Sequence, residues 1–206
     1  MTTTPYNLVA RILHWAIAIL IFWAIGLGLI AEDMPNSPDK IELFVLHKSA
    51  GFTVLVLAVI RATSDLERIG DEASKIARNA LLLSENSGGI RGLVEVRHIS
   101  EHVRKMLRDA LTAFARFDTE LAMQVVREDE SVDDEYGSAM RSLMTFMMED
   151  SRSISSVLSI MWVLRALERV GDHANNLAEY VVYLVKGLDI RHSDPDTLEQ
   201  KVLKKS

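Results

Sequence analysis

The chain has 206 residues, 49% of them hydrophobic, and a formal net charge of -6. That charge, with no basic stripe anywhere, excludes nucleic acid as a natural partner, because gripping a phosphate backbone takes several clustered Lys or Arg. Cysteine is absent, which removes disulfides, thiolate metal sites, thiol nucleophiles and covalent c-type haem attachment, so any metal must rest on His, Asp or Glu.

Only four prolines and ten glycines interrupt long runs of helix formers, and no segment alternates with the period of a strand, so the expected fold class is all-α. Leu8 to Ile30 is almost wholly apolar apart from Arg11 and His14 and is about as long as a bilayer core requires. It reads as a spanning helix, started by Thr4 before Pro5, with Trp15 suited to the membrane interface. The run is too long for a secretory signal, and no small-residue cleavage site follows it. After the polar stretch 32–40, Ser37 before Pro38 restarts a helix with Asp39 and Glu42 at its positive end. A second apolar run follows from Leu43 to Ile60, with His47 and Lys48 near its start. Arg11 and Arg61 flank the outer ends of this hairpin and the connecting loop is acidic, so both termini are expected in the cytoplasm.

No breaker separates the apolar run from the amphipathic sequence after Ala62, so one helix is expected to leave the membrane and continue until Ser87, Gly88 and Gly89. A helix over about 90–117 carries a seam at Val96, Ile99, Val103, Met106, Ala110, Ala113 and Phe117. Asp118 caps the next, whose seam is Leu121, Val125, Val132, Tyr136, Ala139, Leu143 and Met147, with Asp129 in the one polar slot. After a turn near 149–153, a last helix runs through Ile154, Val157, Met161, Leu164, Leu177 and Val181 to Lys186 and stops at Gly187. The polar tail 193–206 is expected to fray.

An internal repeat is the strongest signal: Leu66-Glu67-Arg68-Ile69-Gly70-Asp71 returns as Leu167-Glu168-Arg169-Val170-Gly171-Asp172. Glu and Asp four apart share a helix face, and the glycine beside the Asp leaves room for a close approach. Asp129 and Asp133 form a second pair with the same spacing, and a charge in an apolar seam is costly unless paired or coordinating. If the helices of Asp129 and Glu168 pack together, four carboxylates converge in a way helical bundles use for divalent or trivalent metals. The competing reading is an ion-pair network in which Arg127, Arg165 and Arg169 neutralise these acids.

The blocks LERIGDEA and LERVGDHANNLAEYV, with FARFDTELAMQVVREDESVDDEY and LMTFMMEDSRSI before the second, make residues 63–192 resemble the PhoU family of phosphate-uptake regulators. The resemblance implies tandem three-helix bundles, cytoplasmic and peripheral to the membrane, acting as a negative regulator between a phosphate ABC transporter and a sensor histidine kinase. It also implies a metal such as iron at Asp129, Asp133, Glu168 and Asp172, with Glu67 and Asp71 as a partner half-site. The first repeat is truncated here and the second complete: a membrane hairpin replaces two helices before Thr63. The helix of Glu67 must then pack on the second bundle, pack on a copy of itself in a homodimer, or stay partly exposed.

The segments RILHWAIAILIFWAIGLGLI and LHKSAGFTVLVLAVIRA resemble the first two helices of the bacterial cytochrome b561 family, which implies haem b ligation with His14 and His47 at matching positions. The family's third and fourth helices are missing. In an antiparallel hairpin the two histidines should differ in depth by about 10 Å or more, so each would need a partner from another chain. His98, His102 and His173 read as solvent-facing, His192 as without a role, and the methionines of LMTFMMED as core filling. No phosphate loop, nucleophile motif or Ser-His-Asp set is present, so an enzyme is not expected.

The expectation is a membrane hairpin (1–62), a PhoU-like three-helix bundle domain (63–192) and a tail, anchored in the inner membrane with the PhoU-like part in the cytoplasm. It would regulate phosphate uptake by binding protein and metal. The alternatives are a haem b electron-transfer protein or a fusion whose halves do not cooperate.

Overall fold

The computed structural model describes residues 8–85, 92–188 and 190. The Thr4-Pro5 start, the Ser87–Gly89 stop, His192 and the tail lie outside them. Among the described residues the fold is all-α, with five α-helices: α1 Leu8–Asp33, α2 Pro38–Glu85, α3 Leu93–Arg116, α4 Thr119–Glu149 and α5 Ile154–Lys186, with a single 3-10 turn at Ser151–Ser153. The chain divides into two compact units, Met1–Ser64 and Asp65–Ser206, and α2 runs unbroken through the division.

In the first unit, 26 residues give α1 a length of about 39 Å, enough to cross a hydrocarbon core of about 30 Å. The turn into α2 is built as its sequence suggests: Lys40 N–H donates to Ser37 Oγ at 3.3 Å, and Lys40 Nζ donates to Met34 O at 2.7 Å. The residues buried in this unit are mostly small, Ala24 and Ala31 with Ile17 on α1 and Ala50, Val54 and Ala58 on α2, the side chains that membrane helices favour at their interfaces. Large apolar side chains face outward instead, Phe22 at 76% and Phe52 at 68% exposure among them. Such a band is unstable against water and matched to lipid, and both helices are long and apolar enough to cross a membrane.

The second unit is a three-helix bundle of α3, α4 and α5, each in contact with the other two. Ile99, Val103 and Met106 meet Val125, Val132 and Leu143 and the Val157, Ile160, Leu164, Leu177 and Val181 stripe of α5, all buried at the helical period. Gly92 opens α3 at φ 92, where an added Cβ would stand 2.6 Å from Leu143 Cδ2, so both conformation and space demand glycine. Asp118 caps α4 by accepting from Leu121 N–H at 3.0 Å, and Gly187 ends α5 in the left-handed region.

Three expectations are corrected. Phe117 is not a seam residue: it takes the left-handed C-cap of α3 at φ 54 and is half exposed, because the chain must reverse there before Asp118. The methionines after Leu143 are not all core filling: Met148 is 88% exposed and Met144 46%, since the last turn of α4 carries them past the edge of the core. Neither His173 nor His102 simply faces solvent: His173 is buried, and the side chain of His102 is only 21% exposed.

Candidate metal centre

The N-terminal part of α2 in this unit docks on α5 through the buried acid Asp65. Asp65, 7% exposed, accepts from His173 Nδ1 at 2.9 Å, Tyr180 Oη at 2.9 Å and Asn176 Nδ2 at 3.4 Å. The three donors sit at positions 173, 176 and 180, one stripe of α5, and a carboxylate is the group that can accept from all of them. Sequence reasoning missed Asp65; the polar donor stripe on α5 is the signal that could have pointed to an acidic partner.

The docking leaves the repeated motif of α2 facing water. Glu67 and Asp71 are both exposed, and an added Cβ on Gly70 would meet nothing within 4 Å. The equivalent Gly171 lies against α3 and α4, its added Cβ 3.6 Å from Val132 Cγ1 and 3.9 Å from Met106 Sδ. Nearly identical local sequences thus sit in opposite surroundings, because only the second copy has two helices packed over it.

Over that second copy the carboxylates meet. Asp133 of α4 and Glu168 and Asp172 of α5 each offer an oxygen within 4.8 Å of the others. Oxygens on opposite sides of a small octahedral cation stand about 4.2 Å apart, so little movement separates this arrangement from a coordination shell. Asp129 stands one turn before Asp133, accepts from Asn175 Nδ2 at 2.8 Å, and feels the charges of Asp172 and Asp133. Burial, then those charges, pushes the Asp129 carboxyl up to about 7. Burial followed by Asp172 brings Glu168 to about 7, against the opposing pull of Arg165. Asp133 and Asp172 are raised in the same direction, burial leading in both.

Neutralisation by arginine accounts for part of the cluster only. Arg165 donates to Glu168 Oε1 at 2.5 Å with its guanidinium 5.9 Å from the Tyr136 ring centroid. Glu168 Oε2 is buried with no hydrogen-bond partner. A carboxylate oxygen stripped of water and left without a donor is costly, and a hard cation is the partner its chemistry fits. Asp133 and Asp172 remain exposed, so the mouth of the cluster opens to solvent.

Of the first unit's two candidate haem ligands, His47 has a described side chain. His47 Nδ1–H donates to Ala24 O at 2.8 Å, its ring filling the space that Gly28 leaves: an added Cβ there would lie 3.1 Å from it. His14 precedes Ala24 by ten positions on α1, which separates the two levels by about 15 Å along the axis.

Comparison with known proteins agrees with both halves of the pattern. The family model described as PhoU domain matches residues 96–181, and that described as prokaryotic cytochrome b561 matches residues 5–82. The phosphate-specific transport system accessory protein PhoU homologues of Pseudomonas putida and Pseudomonas aeruginosa are 58% and 54% identical over 67% and 72% of this chain. The chain spans only 54% and 61% of the length of those two relatives. The homologue of Aquifex aeolicus is 37% identical over 79% of both proteins. The crystal structure of PhoU from Pseudomonas aeruginosa superposes with a TM-score of 0.64 at 42% identity, covering 85% of this chain and 89% of that one. On sequence and on fold alike, the chain belongs to the PhoU family.

Proposed function

We propose that the chain is a membrane-anchored regulator of phosphate uptake and phosphate signalling that acts by binding, without catalysing a reaction. Residues 63–192 form the regulatory part and 1–62 the anchor, placed in the inner membrane with the regulatory part in the cytoplasm. The relatives described as accessory proteins of a phosphate-specific transport system support a phosphate transporter as partner, and the family resemblance adds a sensor histidine kinase. The observation that carries the mechanism is the meeting of Asp133 with Glu168 and Asp172 beside Asp129, with one oxygen of Glu168 buried and unpartnered.

These four side chains come from α4 and α5 only, so a divalent or trivalent cation such as iron held among them would tie the two helices together. The cation supplies positive charge that four crowded carboxylates otherwise lack. Arg165 and Asn175 orient Glu168 and Asp129, and the tied helices set the surface offered to a partner protein. The test is phosphate uptake in phosphate-replete cells whose own PhoU has been deleted. The wild-type chain should restore repression and Asp133→Asn with Glu168→Gln should not. Equal repression by both, or none by either, would remove the proposal.

A haem b electron-transfer role is favoured by the match of residues 5–82 and by the His47 Nδ1–H bond, which leaves Nε2 free. The depth of His14 counts against it within one hairpin.

A further inference from the structure

On the far side of α4 from the carboxylate cluster lies a second convergence, of a different chemical kind. His98 and His102, one turn apart on α3, both reach Glu135 of α4: His98 Nε2 lies 3.4 Å and His102 Nδ1 3.2 Å from the same oxygen, Oε1. Glu135 is two positions from Asp133, about 200° around the helix, so the two groups point to different faces.

Two of the three distances match the edges of a coordination polyhedron. Zinc binds imidazole nitrogen at 2.0–2.1 Å and carboxylate oxygen at 2.0–2.2 Å, which makes the edge of a tetrahedral shell about 3.3–3.5 Å. Two edges of such a tetrahedron are present already. Both histidines crowd one oxygen, while Oε2 of the same carboxylate is buried with no hydrogen-bond partner. An acid placed only to accept protons from two imidazoles would use both oxygens. His102 and Glu135 are largely covered, at 21% and 27% side-chain exposure, and so are held in place. The three ligand atoms do not yet all lie within 4.8 Å of one another, so closing the remaining edge requires His98, 71% exposed, to swing its ring inward.

We propose that His98, His102 and Glu135 form a second metal site, for a borderline transition cation of the zinc class, with water in the fourth position. Imidazole nitrogen with one carboxylate selects zinc over the hard cations suited to four carboxylates. The site joins α3 to α4 as the carboxylate cluster joins α4 to α5, so two cations of different chemistry would clamp the bundle at two seams.

The experiment uses the full chain, purified in detergent and stripped of metal, in an Asp133→Asn, Glu168→Gln background that disables the carboxylate cluster. Zinc is titrated at neutral pH against a chromogenic chelator, and cobalt loading is followed in the visible spectrum. One zinc per chain should remain in that background, and cobalt should give the strong bands of tetrahedral coordination. Adding His98→Ala or His102→Ala should weaken zinc binding at least about tenfold, the loss that removing even an outer-shell partner causes. The exposed His98→Ala change should leave the metal-free unfolding temperature unaltered, which separates ligation from folding. Loss of all zinc in the carboxylate-disabled background would overturn the second site, as would zinc retained at full affinity without both histidines.

Discussion

Replacing Asp129 by Asn distinguishes a cation site from an acid kept for structure, because the two readings predict opposite signs. In the metal-free protein, burial and the neighbouring charges of Asp172 and Asp133 hold this carboxyl at about 7, against 3.8 for a free side chain. A folded-state value above the unfolded one means that stability is complete below about pH 4 and is lost as pH rises from there through about 7. Three decades of proton affinity would cost about 4 kcal/mol in a sealed interior, and screening at this open site reduces that to about 1–2 kcal/mol. Asn is isosteric and its Oδ1 still accepts from Asn175 Nδ2, so the variant escapes the cost. Its metal-free unfolding temperature at pH 8 should rise by about 2–8 °C for a chain of this size, with no gain at pH 4. With iron or manganese added the order reverses, since a ligand at a hundred times its dissociation constant stabilises the wild type by about 2.7 kcal/mol. Thermal unfolding at the two pH values, with chelator and with metal, reads all of this. A variant less stable than wild type at pH 8 in chelator, with both proteins responding alike to metal, would refute the reasoning.

Three further outcomes follow from the packing. Asp65→Ala strands His173 and Tyr180 without their acceptor and should cost about 2–4 kcal/mol, with hydrogen exchange rising first in α2 after residue 65. Uniform protection in that helix would contradict the docking described. Gly92→Ala, at φ 92 and against Leu143, should destabilise by about 2 kcal/mol in denaturant unfolding. Gly28→Leu should push the His47 ring off Ala24 and loosen the hairpin, seen as faster proteolysis in detergent; an unchanged rate would count against the seam.

Much of the fold could be read from the residues because its determinants are local. The 3.6-residue stripes gave the bundle helices, the caps at Asp118 and Gly187 gave their ends, and the absence of any breaker after Ile60 made α2 a single helix of 48 residues. The grouping of Asp133 with Glu168 and Asp172 was legible through the repeat and the four-residue spacing, since both are properties of one helix face. What escaped depends on distant partners. Asp65 and His173 are 108 positions apart, and nothing near either residue announces the other. The contrast between buried Gly171 and bare Gly70 was likewise invisible in two nearly identical hexapeptides, because burial is decided by what packs over them.

Elemental analysis of the full chain, purified from membranes without added chelator, tests the central claim most directly. The wild type should carry a non-haem metal close to one-to-one at the carboxylate cluster, and Asp133→Asn with Glu168→Gln should lose that metal while remaining folded. Equal metal content in the two proteins, or none in the wild type after metal loading, would contradict the account.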